Sequence, residues 1–472
     1  MPTTLDLAGW LDERQERFTA IADAIWAKPE VALRETAACA LQAEILAADG
    51  FAITRDVGGL PTAFVAEWGS GQPVLGFLGE YDALPGLSQE SQATQTPIVA
   101  DGPGHGCGHN LLGTAALAAA MALKAWLKET GQAGTVRYYG CPAEETIVGK
   151  VYMARAGVFD DLDAALTWHP GWLNTVSLGS SLAVDNLKFR FHGKTAHAAM
   201  SPEQGRSALD AVELMNVGVN FLREHVPDAA RIHYVITNGG GAPNVVPDEA
   251  EVWYFVRSPE RAEVEALTAR VRKIAQGAAL MTETTVKEDY QCGAYNLLPN
   301  RALADLAYTA MQELGSLPFT DEERAYAQTV ADGYPAGVRE AVLRVAGLAP
   351  DLLQSALNGD VHPASDEGKV MPGSTDVGDV SWITPTVSLG TACWALGIPG
   401  HSWGIVATGA MSIGHKGMLY AAQALAVTAA ELVSDPAHLT RARAEFQERT
   451  GGQPYRSPLP ADATPPLPGS GR

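Results

Sequence analysis

The chain has 472 residues, of which 46% are hydrophobic and 18% are charged. A chain of this length and composition buries a large core and predicts a globular protein of two or more domains. Its 54 acidic residues outnumber the 33 Lys and Arg, for a formal net charge of −21. This charge argues against nonspecific binding to nucleic acids or anionic membranes, and an anionic substrate needs a local basic site.

The sequence predicts a cytoplasmic protein. The first 18 residues lack a basic region followed by an apolar core, and we expect no later run of the ~20 apolar residues that a membrane span needs. The cysteines form no CxxC pair, a pattern typical of a reducing compartment. They are Cys39, Cys107, Cys141, Cys292 and Cys393.

Helices alternate with short strands at the start of the chain. Apolar residues near helical spacing predict one helix over residues 7–27 and another over residues 36–48. Short apolar runs then predict strands, the last of which ends in GEYDALPG. Open α/β sheets keep their chemistry at strand ends, so Asp82 and Glu80 are candidate site residues. Either acid alone is more often a turn former.

The stretch GPGHGCGHN, residues 102–110, is the strongest local signal. His105, Cys107 and His109 lie within five residues, and the glycines between them let the backbone aim thiolate and imidazole at one point. Asn110 is predicted to cap the helix that follows. A nucleotide loop would need G-x-G-x-x-G, which is absent. A disulfide or a buried core cysteine would also fit, but the two histidines favour metal ligation.

Two later runs carry more candidate ligands. VRYYGCPAEET is a β-rich run that ends in Glu144 and Glu145, and the next predicted strand, DAALTWHP, carries His169. Adjacent carboxylates are usually solvated, but at the end of a buried strand one can bind a metal while its neighbour handles protons. Because successive strand ends meet at one sheet edge, we expect a single site assembled from these loops.

From residue 183 the pattern changes to that of an α+β insert. VDNLKFRFHG, RIHYVITN and EAEVWYFVRS alternate with period two, and GRSALDAVELMNVGVNFLREHV is an amphipathic helix. The insert contains His197 in GKTAHAA, Asn244 in GGGAPNVVP, and Arg257. Residues 301–360 look helical and irregular, and the pattern assigns them no role.

The end of the chain returns to an α/β pattern. The strand TPTVSLGTA is followed by GHSWG and then by SIGHKG, whose His415 precedes a long Ala-rich helix. A lone histidine is more often structural, but Cys107 and His109 precede their helix in the same way. GHSWG also fits the G-x-S-x-G nucleophile elbow, with Ser402 as nucleophile. Residues 446–472, rich in Pro, Gly and Ser, predict a disordered tail.

Together these motifs resemble the dinuclear metallopeptidase family that includes aminoacylases, carboxypeptidase G and plant auxin-conjugate hydrolases. GEYDALPG, HGCGHN, PAEET, WHP, GKTAHAAMSPEQGRSALDA and GHKG occur in that family's order and approximate spacing, up to about residue 435. The resemblance implies an α/β catalytic domain, with a mixed sheet flanked by helices, over residues 1–182 and 296–445. An α+β dimerisation or lid domain, residues 183–295, interrupts it and closes by hinges near residues 182 and 295.

The resemblance also implies roles for single residues. Glu144 is the general base, Asp82 supports the site, and His197 reaches across a dimer interface to the substrate's carbonyl oxygen. Asn244 and Arg257 resemble positions near the substrate's carboxylate. Two divalent ions, zinc or manganese, are held by Cys107, His109, Glu145, His169 and His415.

The implied activity is hydrolysis of the amide bond in small N-acyl or aroyl amino acids such as p-aminobenzoyl-glutamate, by a metal-bridged water that Glu144 deprotonates. The chain departs from the usual family pattern at Asn110 and at STDVGDVSW, as does the aminobenzoyl-glutamate branch. We expect a homodimer, with or without a related second subunit. A noncatalytic or partner-dependent subunit and a serine hydrolase using Ser402 are the competing hypotheses.

Overall fold

The computed structural model describes the backbone of residues 4–469 and the side chains of residues 7–469. The helices are α1 (Thr4–Asp12), α2 (Gln15–Trp26), α3 (Thr36–Ala48), α4 (His109–Thr130), α5 (Gly149–Arg155), α6 (Ala208–Leu222), α7 (Arg261–Thr282), α8 (Arg301–Leu314), α9 (Asp321–Asp332), α10 (Val338–Ala346), α11 (Val377–Ser381), α12 (Trp403–Thr408), α13 (Ser412–Ser434) and α14 (Pro436–Thr450). The strands are β1 (Ala52–Arg55), β2 (Phe64–Ser70), β3 (Val74–Glu80), β4 (Gly134–Cys141), β5 (Ala164–Gly171), β6 (Asn174–Val176), β7 (Ser180–Ser181), β8 (Ala183–His192), β9 (Arg231–Asn238), β10 (Glu249–Ser258), β11 (Thr285–Ala294), β12 (Val361–His362), β13 (Val370–Met371) and β14 (Thr386–Ala392).

An eight-stranded mixed sheet forms the centre of the larger unit. Its strand order is β1-β2-β4-β3-β5-β14-β6-β12, and the four strands β4, β3, β5 and β14 run parallel. Every residue of β3 is buried, as expected for a parallel strand that helices cover on both faces. The carboxyl ends of these four strands therefore meet at one edge of the sheet.

Two long apolar helices, α4 and α13, pack against each other and against this sheet. By length and composition both could cross a membrane, so our expectation that no such run exists was wrong. In their most apolar windows, however, 94% and 83% of the residues are buried inside the protein. Both are therefore core helices of this fold, and their apolar surface is already used.

Residues 183–294 build a second sheet with the order β11-β8-β10-β9, antiparallel throughout. Helices α6 and α7 pack together on one of its faces. On β10 that face is buried and consists of Val252, Tyr254 and Val256. The alternate residues point to the opposite face, because successive strand side chains do. We call this sheet with its two helices the lid; with the mixed sheet, it confirms the predicted fold class.

Two local predictions differ from the structure. The helix predicted over residues 7–27 is two helices, separated by a turn at residues 13–14. The helix after the glycine loop begins at His109, and Gly108 precedes it at φ +73°, a conformation that favours glycine. Asn110 thus lies inside the helix, where its side-chain amide donates to the carbonyl of Gly409 at 2.8 Å.

The C-terminus also differs from the predicted disordered tail. Helix α14 continues to Thr450, and the residues that follow it lie against the protein. The Tyr455 hydroxyl donates to Asp379 Oδ1 at 2.6 Å, and the Thr464 carbonyl accepts from Tyr152 at 2.8 Å. Leu459 is only 6% exposed. A few apolar and aromatic side chains therefore anchor a segment whose average composition predicts disorder; residues 470–472 lie outside the described part.

Candidate metal centre

The loops at the carboxyl edge of the parallel strands bring acids, imidazoles and a thiol together. Glu80 ends β3 and Asp82 follows it, while Glu144 and Glu145 follow β4 and His169 lies near the end of β5. The glycine loop adds Cys107 and His109, and the loop after β14 adds His401. The site is thus built where the central strands of an open α/β sheet present their loops.

Ligand atoms fall into three overlapping groups, each with all its atoms within 4.8 Å of one another. Cys107 Sγ is 3.3 Å from His169 Nε2, and His401 Nε2 is 3.4 Å from Glu145 Oε2. His109 Nε2 lies 3.3 Å from Glu80 Oε2 and 4.0 Å from Glu144 Oε2. The groups are Cys107, His109 and His169; Cys107, Glu145 and His401; and Glu80, His109 and Glu144.

Hydrogen bonds outside the cluster orient its imidazoles. Asp82 Oδ1 lies 3.0 Å from His109 Nδ1, and Asp82 Oδ2 accepts from the backbone N–H of Glu145 at 3.0 Å. His169 Nδ1 lies 2.8 Å from the carbonyl of Pro170. A carboxylate or carbonyl that accepts a hydrogen bond from Nδ1–H leaves the lone pair of Nε2 free to bind a metal, as in metal-binding histidines generally.

The donor set fits a divalent metal ion. Glu145 Oε1 and His109 Nε2 are buried and have no hydrogen-bond partner, so both atoms are available to bind a metal ion. Desolvation within the cluster raises the pKa of the Cys107 thiol to about 12, and such a thiol ionises at neutral pH only beside a cation. Burial likewise raises the pKa of Glu145 to about 7. Thiolate, imidazole and carboxylate together suit zinc or manganese.

Glu144 has the environment of a proton carrier. Burial, reinforced by the charges of Glu80 and Asp376, raises the pKa of Glu144 well above its usual value, which favours taking up a proton near neutral pH. Lys150 Nζ compensates the charge behind the cluster, at 2.6 Å from both Glu80 Oε1 and Asp376 Oδ1. Lys150 is fully buried, and the sequence pattern gave it and Asp376 no role.

A cavity of about 550 Å³ lies between this cluster and the open face of the lid sheet. The cluster contributes Glu80, Cys107, Glu144, Glu145, His169 and His401 to its lining. The lid contributes Asn186, Trp253, Phe255 and Arg257. A volume of this size is typical of small-molecule sites.

The comparisons with known proteins agree with this geometry. Residues 76–333 match the family model described as Peptidase family M20/M25/M40. The chain belongs to this family. The family resemblance drawn from its motifs is therefore confirmed, and the chain is a metal-dependent amidohydrolase.

Three relatives of this M20/M25/M40 peptidase span nearly the whole chain. It is 46% identical to the B subunit of p-aminobenzoyl-glutamate hydrolase from Escherichia coli (strain K12), over 96% of this chain and 97% of that protein. It is 30% identical to the Xaa-Arg dipeptidase of Mus musculus, over 93% and 90%. The crystal structure of an aminobenzoyl-glutamate utilization protein from Klebsiella pneumoniae shares the fold, with TM-score 0.60, 21% identity, and 91% and 98% coverage.

The structure does not bring His415 into the cluster of this M20/M25/M40 family member. His415 Nε2 lies 2.8 Å from Asp23 Oδ1, and His415 belongs to none of the three ligand groups. His401, which the sequence analysis missed, instead joins Cys107 and Glu145 in one of the ligand groups. A signal was available, because GHSWG is the first histidine motif after the last parallel strand, but its likeness to a nucleophile elbow drew attention to Ser402. His105 is buried with Nε2 3.2 Å from the Ile25 carbonyl.

Residues outside the metal-ligand cluster fix the loop that carries His401. His401 has φ +51°, which is unusual for a residue with a side chain. The Ser402 hydroxyl donates to the carbonyl of Pro399 at 2.7 Å and lies 2.7 Å from the Tyr334 hydroxyl. The Tyr334 ring stacks on Trp403, with centroids 5.3 Å apart. Ser402 therefore has structural partners, and residues after α9, to which the sequence pattern assigned no role, support a site loop.

Of the three site residues predicted in the lid, one lines the cavity and two do not. Arg257 lines the cavity, its Nη1 donates to Ser374 Oγ at 3.4 Å, and its Nε is buried without a partner. Burial lowers the pKa of the Arg257 guanidinium. His197 and Asn244 are both exposed on neighbouring loops, where the Asn244 carbonyl accepts from the N–H of Ala198 at 3.0 Å. In the described chain neither reaches the cluster.

Glu35 supports the backbone that carries Glu144. Ala143 adopts φ +56°, and Glu35 Oε1 accepts from its N–H and from that of Leu33, both at 2.9 Å. Glu35 Oε2 accepts from the Thr62 hydroxyl at 3.0 Å. Burial, and then the charge of Asp82, raises the pKa of Glu35 from 4.5 to about 7.

Replacing Glu35 with Gln should change how stability depends on pH. Between pH 4.5 and about 7 the unfolded chain releases a proton that folded Glu35 keeps, so this carboxyl lowers stability as pH rises. Glu35→Gln removes the titration, keeps an oxygen that accepts from Leu33 and Ala143, and places an amide N–H that can donate to the Thr62 hydroxyl. Relative to the parent, it should gain on the order of 3 kcal/mol across that range, measured by urea unfolding in chelator.

The exposed Glu448 provides the matched control, because Glu448→Gln makes the same chemical change at a solvent-exposed side chain. A Glu35→Gln difference that stays constant from pH 4.5 to 7 would show that Glu35 does not keep its proton in the folded state.

Proposed function

We propose that the chain hydrolyses the amide bond of N-aroyl amino acids such as p-aminobenzoyl-glutamate. The observation that carries this proposal is one cavity lined both by a cluster of metal-ligand atoms and by the guanidinium of Arg257, whose Nε is buried without a hydrogen-bond partner. The 46% identity to the B subunit of p-aminobenzoyl-glutamate hydrolase, over nearly both full lengths, supports the same substrate class.

We assign the metal ligands to Cys107, His109, Glu145, His169 and His401, with zinc or manganese as the ions. When bound, two divalent ions lower the pKa of a water from ~15.7 toward ~7 and polarise an amide carbonyl. Of the two acids after β4, Glu145 is a ligand because its Oε2 lies beside His401 Nε2. Asp82 positions both His109 and the Glu145 backbone.

Glu144 moves the proton in this proposal. It takes a proton from the attacking water and returns it to the nitrogen of the leaving amino acid. Arg257 pairs with the carboxylate of that amino acid, a contact that would satisfy its buried Nε. Such a carboxylate on a guanidinium gains strength from two parallel hydrogen bonds.

We also propose that His197 and Asn244 serve the active site of a second copy of this chain. The His197 loop pairs with the loop that carries Asn244, and the latter loop follows β9, an edge strand of the lid sheet. An open edge pairs readily with another strand. Exposed apolar residues on β9 and the neighbouring α6 enlarge this surface; they are Leu214, Val217, Phe221, Tyr234, Val235 and Ile236. In such a dimer His197 would stabilise the oxyanion that forms on the substrate's carbonyl.

We place the protein in the cytoplasm, because all five of its cysteines are free in the structure and a reducing compartment keeps them so.

The first test of this function is the hydrolysis of p-aminobenzoyl-glutamate by the purified single chain. Chelation should abolish turnover and manganese or zinc should restore it. Glu144→Gln should lower kcat by about a hundredfold or more while bound metal stays at the parental level. Activity that survives chelation would instead favour the Ser402 hydrolase. A metal-loaded chain that becomes active only after a related subunit is added would favour the partner-dependent hypothesis.

The assignment of His401 rather than His415 can be tested by paired substitutions. His401→Ala should weaken metal binding by about tenfold or more and lower the metal retained after dialysis, measured by elemental analysis. His415→Ala should retain metal like the parent, because this side chain contacts Asp23. Loss of metal from the His415 variant alone would reverse the assignment.

The proposed dimer can be tested at β9. Val235→Glu should give monomers by light scattering, because it places a charge on the proposed strand pair; Val345→Glu on α10 is the control at another exposed valine. Mixing inactive Glu144→Gln and His197→Ala chains should then restore about a quarter of the parental activity, since half the dimers carry one complete site. No recovery after verified subunit exchange would exclude a site shared between copies.

A further inference from the structure

Two aromatic rings of the lid face the cavity and have no part in the steps above. Trp253 and Phe255 lie on β10, on the face opposite the one that packs on the lid helices. Both are partly exposed, and both line the same cavity as the metal-ligand cluster. Trp168 also lines it, but this residue is 1% exposed and its indole N–H donates to the Leu112 carbonyl at 3.0 Å, so it belongs to the core.

The two lid rings are fixed by their neighbours. The indole N–H of Trp253 donates to Asn186 Oδ1, and Lys188 Nζ lies 5.2 Å from the ring. The Trp253 and Phe255 rings meet edge to face, with centroids 5.7 Å apart. The Arg257 guanidinium lies 5.2 Å from the Phe255 ring. Aromatic side chains held in this way offer contact area at little cost in conformational entropy.

The order of these residues along β10 matches the order of groups in an aroyl amino acid. Phe255 and Arg257 are two residues apart on one strand face, a separation of roughly 7 Å. The ring and the α-carboxylate of an aroyl amino acid are joined through a carbonyl carbon, a nitrogen and a Cα, roughly 6 Å in all. The amide bond to be cleaved lies between ring and carboxylate, and the cluster lines the same cavity as Phe255 and Arg257.

We propose that Trp253 and Phe255 form an aryl subsite that binds the aromatic acyl group of the substrate, next to the carboxylate site at Arg257. This inference rests on the proposed function and names the residues that select aroyl over small aliphatic acyl groups. Trp253 and Phe255 are specificity residues in it, because they contact the part of the substrate that does not react.

The test compares two substrates that share the same amino acid, p-aminobenzoyl-glutamate and N-acetyl-glutamate. Trp253→Leu and Phe255→Leu keep an apolar side chain and remove the ring. Each should lower kcat/KM for the aroyl substrate by about tenfold, mainly through KM, and change that for the acetyl substrate less than twofold. Trp10 on α1 provides the control for loss of an indole elsewhere. Trp10→Leu should leave kcat/KM unchanged for both substrates.

Equal losses on both substrates, or no loss on the aroyl substrate, would overturn the aryl subsite. Binding to the Glu144→Gln protein, measured by calorimetry with p-aminobenzoyl-glutamate, separates this inference from the proposed reaction. If the parent chain cleaves neither substrate, the proposed function fails; the aryl subsite then stands only if Trp253→Leu still weakens that binding tenfold, and otherwise falls with it.

Discussion

The carboxylate of Asp82 joins its own loop to the glycine loop and to the loop after β4. One of its oxygens contacts the His109 imidazole and the other accepts from the Glu145 backbone. Burial raises the pKa of Asp82, but the hydrogen bond and charge of His109 outweigh it and hold that pKa below 3.8. A buried carboxylate is tolerated only when such partners satisfy it. The positions of His109 and Glu145 depend on this one group, because it contacts both the glycine loop's histidine and the backbone of the loop after β4.

Repulsion between neighbouring carboxylates is the second constraint on the site. Glu80, Glu144, Glu145 and Asp376 gather at the sheet edge of a protein whose net charge is −21. Lys150 spans Glu80 and Asp376, while Glu144 and Glu145 face the imidazoles of His109 and His401. Like charges held close in a low-dielectric interior repel strongly. Bound cations relieve that repulsion, so the architecture that ligates metal also needs it electrostatically.

Local patterns predicted much of the site, because the residues concerned lie close together in short loop motifs. Cys107, His109 and the two acids after β4 could be picked out by type and spacing alone. His401 was overlooked, because its loop carries a competing motif in which Ser402 drew the attention. Lys150 and Asp376 lie 226 positions apart, and a lysine on a short helix is ordinarily solvent-exposed. Average composition also misjudged residues 451–469, where single anchors such as Tyr455 and Leu459 decide the outcome.

The order of the ligands along the chain has a consequence for synthesis. The group formed by Cys107, Glu145 and His401 takes two donors from before the lid and one from after it. During translation, a chain synthesised up to residue 145 already contains Cys107 and Glu145. Some 250 more residues must be added before His401 is made. The lid, whose strands and helices all lie between residues 183 and 294, can fold in that interval. This group is therefore completed only after β14 has been made, whereas the donors of the other two groups, residues 80–169, are all made before the lid.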